Sequence, residues 1–97
     1  MPGRVRVLIS GCNVIVFTSE VFTQNEEELH ASAEGRKLIK CARMELRALT
    51  RESAHACMAR ILGCPVVRSF WDIDVRTGEQ LEVYVMSQNI ELRVDFV

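Results

Sequence analysis

Three groups of residues in the 97-residue chain have types and spacings that bear on chemistry. The first is Asp72-Ile73-Asp74-Val75-Arg76-Thr77-Gly78, where two carboxylates precede a Thr-Gly pair. An EF-hand calcium loop needs oxygen ligands at its first, third and fifth positions and Gly at the sixth. Counting from Asp72, the fifth position is Arg76 and the sixth Thr77, so a cation would meet a cation. A D-x-D-x-T/V phosphotransfer signature belongs after the first strand of a parallel sheet. The segment order here leaves no such sheet, nor space for the later acidic and Lys motifs. What remains is a hairpin loop in which Asp74 opens the turn and Gly78 takes the left-handed position.

The second group is Arg36, Lys40, Arg43, Arg47 and Arg51. At 100° per residue these five fall within roughly 80° of helical arc, a single basic stripe. Glu45 and Glu52 lie elsewhere on the circumference, so the stripe is not neutralised along its length. It reads either as a solvated helix face or as a contact for an anionic partner: a phosphorylated ligand, an acidic protein surface or lipid headgroups.

The third group is His30 and His55 with Cys12, Cys41, Cys57 and Cys64. No C-x-x-C spacing and no His at zinc-finger distance occurs, so the sequence assigns no metal ligand. Cysteine–histidine catalysis needs side-chain contact with an orienting third group, which spacing does not supply here. Cys57 and Cys64 read as small apolar fillers. Ser10-Gly11 and Thr77-Gly78 lack the glycine content and the following helix of a phosphate loop. Trp71 and Tyr84 fall on strands, where packing is their ordinary role. The expectation is a protein that is not an enzyme, with no catalytic residue and no cofactor.

The elements that must position these residues follow from periodicity. Arg4 to Ser10 alternates, Gly11-Cys12-Asn13 supplies turn chemistry, and Val14 to Thr18 is β-branched, which together predict a hairpin. Thr23 with Glu26 three residues later predicts a helical start. From about Ala33 to Leu62 the residues Leu38, Ile39, Ala42, Leu46 and Leu49 recur at three- and four-residue steps, predicting one long helix with these on its core face and the basic stripe turned away. Gly63 and Pro65 end it. Strands are expected over Val66–Asp74, Leu81–Met86 and, after Ser87-Gln88-Asn89, from Ile90 through Phe96. The order ββαβββ implies an α+β, two-layer domain over residues 1–97, an antiparallel sheet with one long helix on one face.

A helix of this length spans roughly 40 Å, whereas strands of seven or eight residues span about 25 Å. It overhangs the sheet unless it bends near Thr50 to Ser53, and a second copy of the chain is the expected cover, hence a homodimer. A 48% hydrophobic content with 26% charged residues fits one ordered globular domain. The net charge of −1 argues against a general nucleic-acid binder. No apolar run approaches the roughly 20 residues of a membrane span. The cysteine usage reads as that of a reduced, cytosolic protein.

Taken in order, GRVRVLISGCNVIVF, AEGRKLIKCARMELRALTRE and ILGCPVVRSFWDIDVRTGEQLEVYVMSQNIE resemble one small bacterial family. It is the domain of unknown function named after the MpsC component of a sodium-translocating, membrane-potential-generating system. Glu34-Gly35-Arg36, Leu62-Gly63, Val66-Val67, Asp72-Ile73-Asp74 and Thr77-Gly78-Glu79 stand at the matching places. Three features depart from the family pattern. The chain starts almost at the first strand, Phe70 stands where the family often has His, and Ile90 to Val97 extends past the usual end. The resemblance implies a non-enzymatic cytosolic accessory or regulatory domain attached to a membrane transport complex, with the basic stripe as its contact. A dimeric sensor of an anionic metabolite is the rival reading.

Overall fold

The computed structural model describes residues 4–19 and 21–91. Strands β1 (Arg4–Ser10) and β2 (Asn13–Ser19) form the first hairpin, and short helix α1 (Gln24–Leu29) leads into the long helix α2 (Ala33–Leu62). Strands β3 (Val66–Asp74) and β4 (Glu79–Met86) complete a four-stranded antiparallel sheet in the order β1-β2-β4-β3. The α+β architecture and element order agree with the sequence reading. The strand expected from Ile90 is absent at Ile90 and Glu91, and the remainder of that segment lies outside the described residues. Ile90 is instead fully buried, and its N–H donates to the carbonyl of Gly11 at 3.1 Å.

Local chemistry sets the element boundaries. Thr23 caps α1 through a capping box, its hydroxyl accepting from the Glu26 N–H while the Glu26 carboxylate accepts from the Thr23 N–H. Ser32 caps α2 by accepting from the Gly35 N–H at 2.9 Å. Gly63 closes α2 in the left-handed region at φ 76°. In the second hairpin, Asp74 Oδ1 accepts from the Arg76 and Thr77 N–H groups, and Gly78, at φ 76°, donates its N–H to the Asp74 carbonyl at 2.8 Å. The DIDVRTG segment is therefore the end of β3 followed by a hairpin turn.

The core is divided. One cluster joins Val14, Cys64, Tyr84, Met86 and Ile90, with Ala54, Met58 and Leu62 of α2 packed on it. The other joins Phe22, Ile39 and Ile73. Between them α2 runs unbroken, and residues 48–53 are all exposed, so the helix stands off the sheet there. The Thr50 hydroxyl donates back to the Leu46 carbonyl at 2.9 Å within this stretch.

The helix is rotated relative to the sequence expectation. Of the five apolar residues assigned to its core face only Ile39 is buried; Leu38, Leu46 and Leu49 are 61%, 55% and 79% exposed and Ala42 is exposed. The side toward the sheet carries Gly35, Ile39, Arg43, Arg47, Ala54 and Met58 instead. Two rows of similar spacing compete for the sheet, and the basic row wins because the sheet offers it acceptors.

Gly35 permits a close approach that no other residue allows. A Cβ there would lie 1.8 Å from the Leu29 carbonyl oxygen, a backbone atom that cannot swing aside. Gly35→Ala should therefore lower stability by about 2 kcal/mol or more through overpacking. Gly11→Ala, at φ 60° with nothing within 4 Å, should cost only about 1 kcal/mol. Urea denaturation of the two variants measures the difference.

Candidate functional site

The helix-to-sheet layer in the middle of the molecule is polar, and the basic stripe builds it. Arg36 Nη1 donates to the His30 carbonyl at 2.9 Å, tying the loop between the helices to α2. Lys40 pairs with Asp72, donates to the Ile73 carbonyl at 3.2 Å and lies 5.9 Å from the Trp71 ring. Arg43 meets Glu26 with two parallel bonds, Nε to Oε2 at 2.9 Å and Nη2 to Oε1 at 2.6 Å, and Nη2 also reaches the Val21 carbonyl at 2.7 Å. Such forked guanidinium–carboxylate pairs are among the stronger charge-assisted bonds. Arg51 is exposed and makes no hydrogen bond or ion pair to a described residue. Four of the five sequence-predicted contact residues are thus engaged inside the protein.

Arg47 is the centre of the layer. Its Nη1 lies 2.9 Å from Glu82 Oε2, with the two side chains only 11% and 19% exposed. Tyr84, whose ring lies 5.5 Å below the guanidinium, donates its hydroxyl to the same carboxylate at 2.6 Å. Arg47 Nη2 donates to Ser69 Oγ at 3.3 Å, and Ser69 Oγ lies 2.6 Å from His55 Nε2. Arginine can only donate. Ser69 Oγ therefore accepts from Arg47, and the same oxygen is hydrogen-bonded to His55 Nε2, so one hydroxyl joins the two side chains.

The electrostatics of the layer follow from these contacts. Partial burial, then the positive charges of Arg47 and Arg51, hold the His55 pKa below its ordinary 6.5. Burial, and then the Glu82 carboxylate it donates to, push the Tyr84 hydroxyl above 10.0. The Glu26 carboxyl is held below 4.5, chiefly by its hydrogen bond from Arg43. Lys40, by its hydrogen bond, does the same for Asp72 relative to 3.8.

Ser69 and His55 have the spacing of a nucleophile and its base. However, a catalytic imidazole gains from an acid that stabilises its charged form. Here two guanidinium groups oppose that form, and no carboxylate bonds to His55 among the described residues. No group of three or more His, Cys, Asp or Glu side chains that would hold a metal occurs among the described residues. Cys12, Cys41, Cys57 and Cys64 are all free thiols, and Cys64 fills the core.

A family model described as "MpsC: Na+-translocating membrane potential-generating system" matches residues 1–88. The chain belongs to the MpsC family. No curated protein and no solved structure matches it. Within this MpsC domain the Glu34-Gly35-Arg36 motif sets α2 against the Leu29 carbonyl at the end of α1, and the Asp72-Ile73-Asp74 motif receives Lys40 and shapes the turn. No helix among the described residues is long and apolar enough to cross a membrane. Sequence reading missed Ser69 and Glu82, the acceptors of Arg47. Their signal was faint: Glu82 and Gln80 are polar positions sharing a strand face with Tyr84.

Two outcomes test this layer. Arg47→Met should cost about 2 kcal/mol, less than for a wholly buried pair because both partners keep some solvent contact. Adding Glu82→Leu should recover part of that loss, read as a coupling energy in a urea double-mutant cycle. The lowered His55 pKa sets a pH dependence. The unfolded chain takes up the proton first, near 6.5, so stability is present above that pH and is lost as pH falls through the lower folded value. The urea midpoint should fall from about pH 7 toward about pH 5, and His55→Gln should flatten that limb.

Proposed function

We propose that this MpsC domain is a non-enzymatic accessory or regulatory domain, working as a dimer in the cytosol, of a sodium-translocating assembly that generates membrane potential. The family match over residues 1–88 carries this reading. The closed hydrogen-bond layer supports a binding rather than a catalytic role, since its acceptors are already paired with Arg36, Lys40, Arg43 and Arg47. The attachment surface is the outward row of α2. Leu38, Leu46 and Leu49 stand exposed there in a chain that otherwise has ordinary charge content. Apolar rows of this kind mark protein–protein contact. The leucine row is preferred to the basic stripe because Arg36, Lys40, Arg43 and Arg47 already serve contacts within the chain.

A sensor of an anionic metabolite is the second reading. It rests on the cleft of about 170 Å³ lined by Met44, Arg47, Arg51, Ser69 and Trp71, where Arg51 has no anionic partner among the described residues.

Co-purification of tagged protein with detergent-solubilised host membranes tests the first reading. Recovery of cation-translocating subunits is expected, persisting at high salt because the contact is apolar. Leu46→Lys with Leu49→Lys should abolish recovery at unchanged stability. Recovery of no membrane subunit, together with a rise in melting temperature on adding an anionic metabolite that Arg51→Glu removes, would transfer the function to the sensor.

A further inference from the structure

The sheet face turned away from α2 has no covering element among the described residues, and its side chains are ordered in rows by the strand register. Arg6, Phe17, Leu81 and Asp72 lie side by side across the four strands, and the next row is Leu8, Ile15, Val83 and Phe70. Alternation along the strands sets these residues opposite to Glu82 and Tyr84, which face the helix. The Arg6 guanidinium lies 5.5 Å above the Phe17 ring. Leu8 and Phe70, at the two ends of the apolar row, are 57% and 58% exposed. Two open clefts on this side share Phe17 and Glu79, and no residue of either helix lines them.

We propose that this face joins two copies of the chain about a twofold axis parallel to the strands, between β2 and β4. This inference rests on the dimeric reading above and adds its surface and geometry. The axis lays β1 of one copy over the partner's β3 while keeping each row on its own level. Leu8 then meets the partner's Phe70, Ile15 meets the partner's Val83, and Phe17 meets the partner's Leu81. Arg6 falls opposite the partner's Asp72 and Arg4 opposite the partner's Asp74. At these two levels one edge strand carries cations and the other anions, while Arg68, the remaining charge of β3 on this face, falls opposite the partner's Ser10. A twofold interface must be complementary to itself in this way.

An axis across the strands fits less well. Passing through the apolar row, it stacks that row on its own copy and pairs Asp72 with the partner's Arg68. It also sets Phe17 on the partner's Asn13 and leaves Arg4, Arg6 and Asp74 without opposite charges. Two packed sheets ordinarily cross at about 30° with roughly 10 Å between them. The central row stays in contact at that angle, and long arginine side chains at the corners still reach their carboxylates. All contacts of Asp72 within its own chain use Oδ1.

Sedimentation of the full chain tests the proposal. A dimer is expected, converted to monomer by Phe70→Lys and separately by Leu8→Lys, with helix content retained. Arg6→Glu should weaken association about tenfold. A dimer that survives both lysine variants but is lost in Leu46→Lys would place the interface on α2 and overturn this face while leaving the dimeric reading intact. Association insensitive to Arg6→Glu would overturn the axis. A monomeric wild-type chain would overturn both the interface and the dimeric reading.

Discussion

The fold depends on one side chain being satisfied: the Arg47 guanidinium, held between α2 and the sheet by Glu82, Tyr84 and Ser69. A charge this far from solvent is tolerated only when its donors find acceptors. That requirement fixes the rotation of α2. Turning the helix to bury Leu46 would swing Arg47 away and leave Glu82 and the Ser69 hydroxyl facing leucine. A half-buried carboxylate without its partner costs more than the burial of one leucine returns. Electrostatic pairing therefore decides orientation, and hydrophobic burial is arranged around it.

The split core follows. Apolar packing is confined to the two ends of α2, where Ile39 meets Phe22 and Ile73, and where Met58 and Leu62 meet Val14, Cys64 and Met86. Between them residues 48–53 lift from the sheet. The helix, about 45 Å long for its 30 residues, matches the 44 Å long axis of the molecule. A small chain built this way leaves apolar side chains outside on the leucine row of α2, on the far face of the sheet and, at Val5 and Val7 of β1, on its near face. Each is a separate opportunity for association, and a polar interior is what makes them available.

Much of the architecture was legible in the sequence because its signals are local. Thr23 with Glu26, Gly63 before Pro65, and Asp74 with Gly78 each mark a boundary through a hydrogen bond or a backbone angle within a few residues. The basic stripe was legible as a pattern but not in its direction. Both helical rows repeat at three- and four-residue steps, and hydrophobicity alone ranks the leucine row as inward. What reverses that ranking is Glu82 on β4, 35 positions from Arg47, and Glu26 on α1, 17 positions from Arg43. Only pairing at a distance reveals which row is inside. The same holds for Ser69, whose role as a relay between Arg47 and His55 exists only when β3 lies under α2.

A polar layer of this type also restricts which structures the chain can adopt. Leucines on a helix pack acceptably at several rotations and offsets. A guanidinium that must reach a carboxylate, a hydroxyl and an aromatic face does so at very few. Arg43 adds a second constraint, since its fork onto Glu26 also holds the Val21 carbonyl and so locates α1 against α2. Lys40 adds a third at the β3 edge through Asp72 and the Ile73 carbonyl. Three cations at successive turns thus register the helix on three different segments. An apolar interior of equal volume would hold the layers together without choosing one register. In a domain whose outer faces are themselves apolar, that selectivity separates folding from association: the sheet and helix find each other by charge, and the surfaces left over are free to find partners by hydrophobic contact.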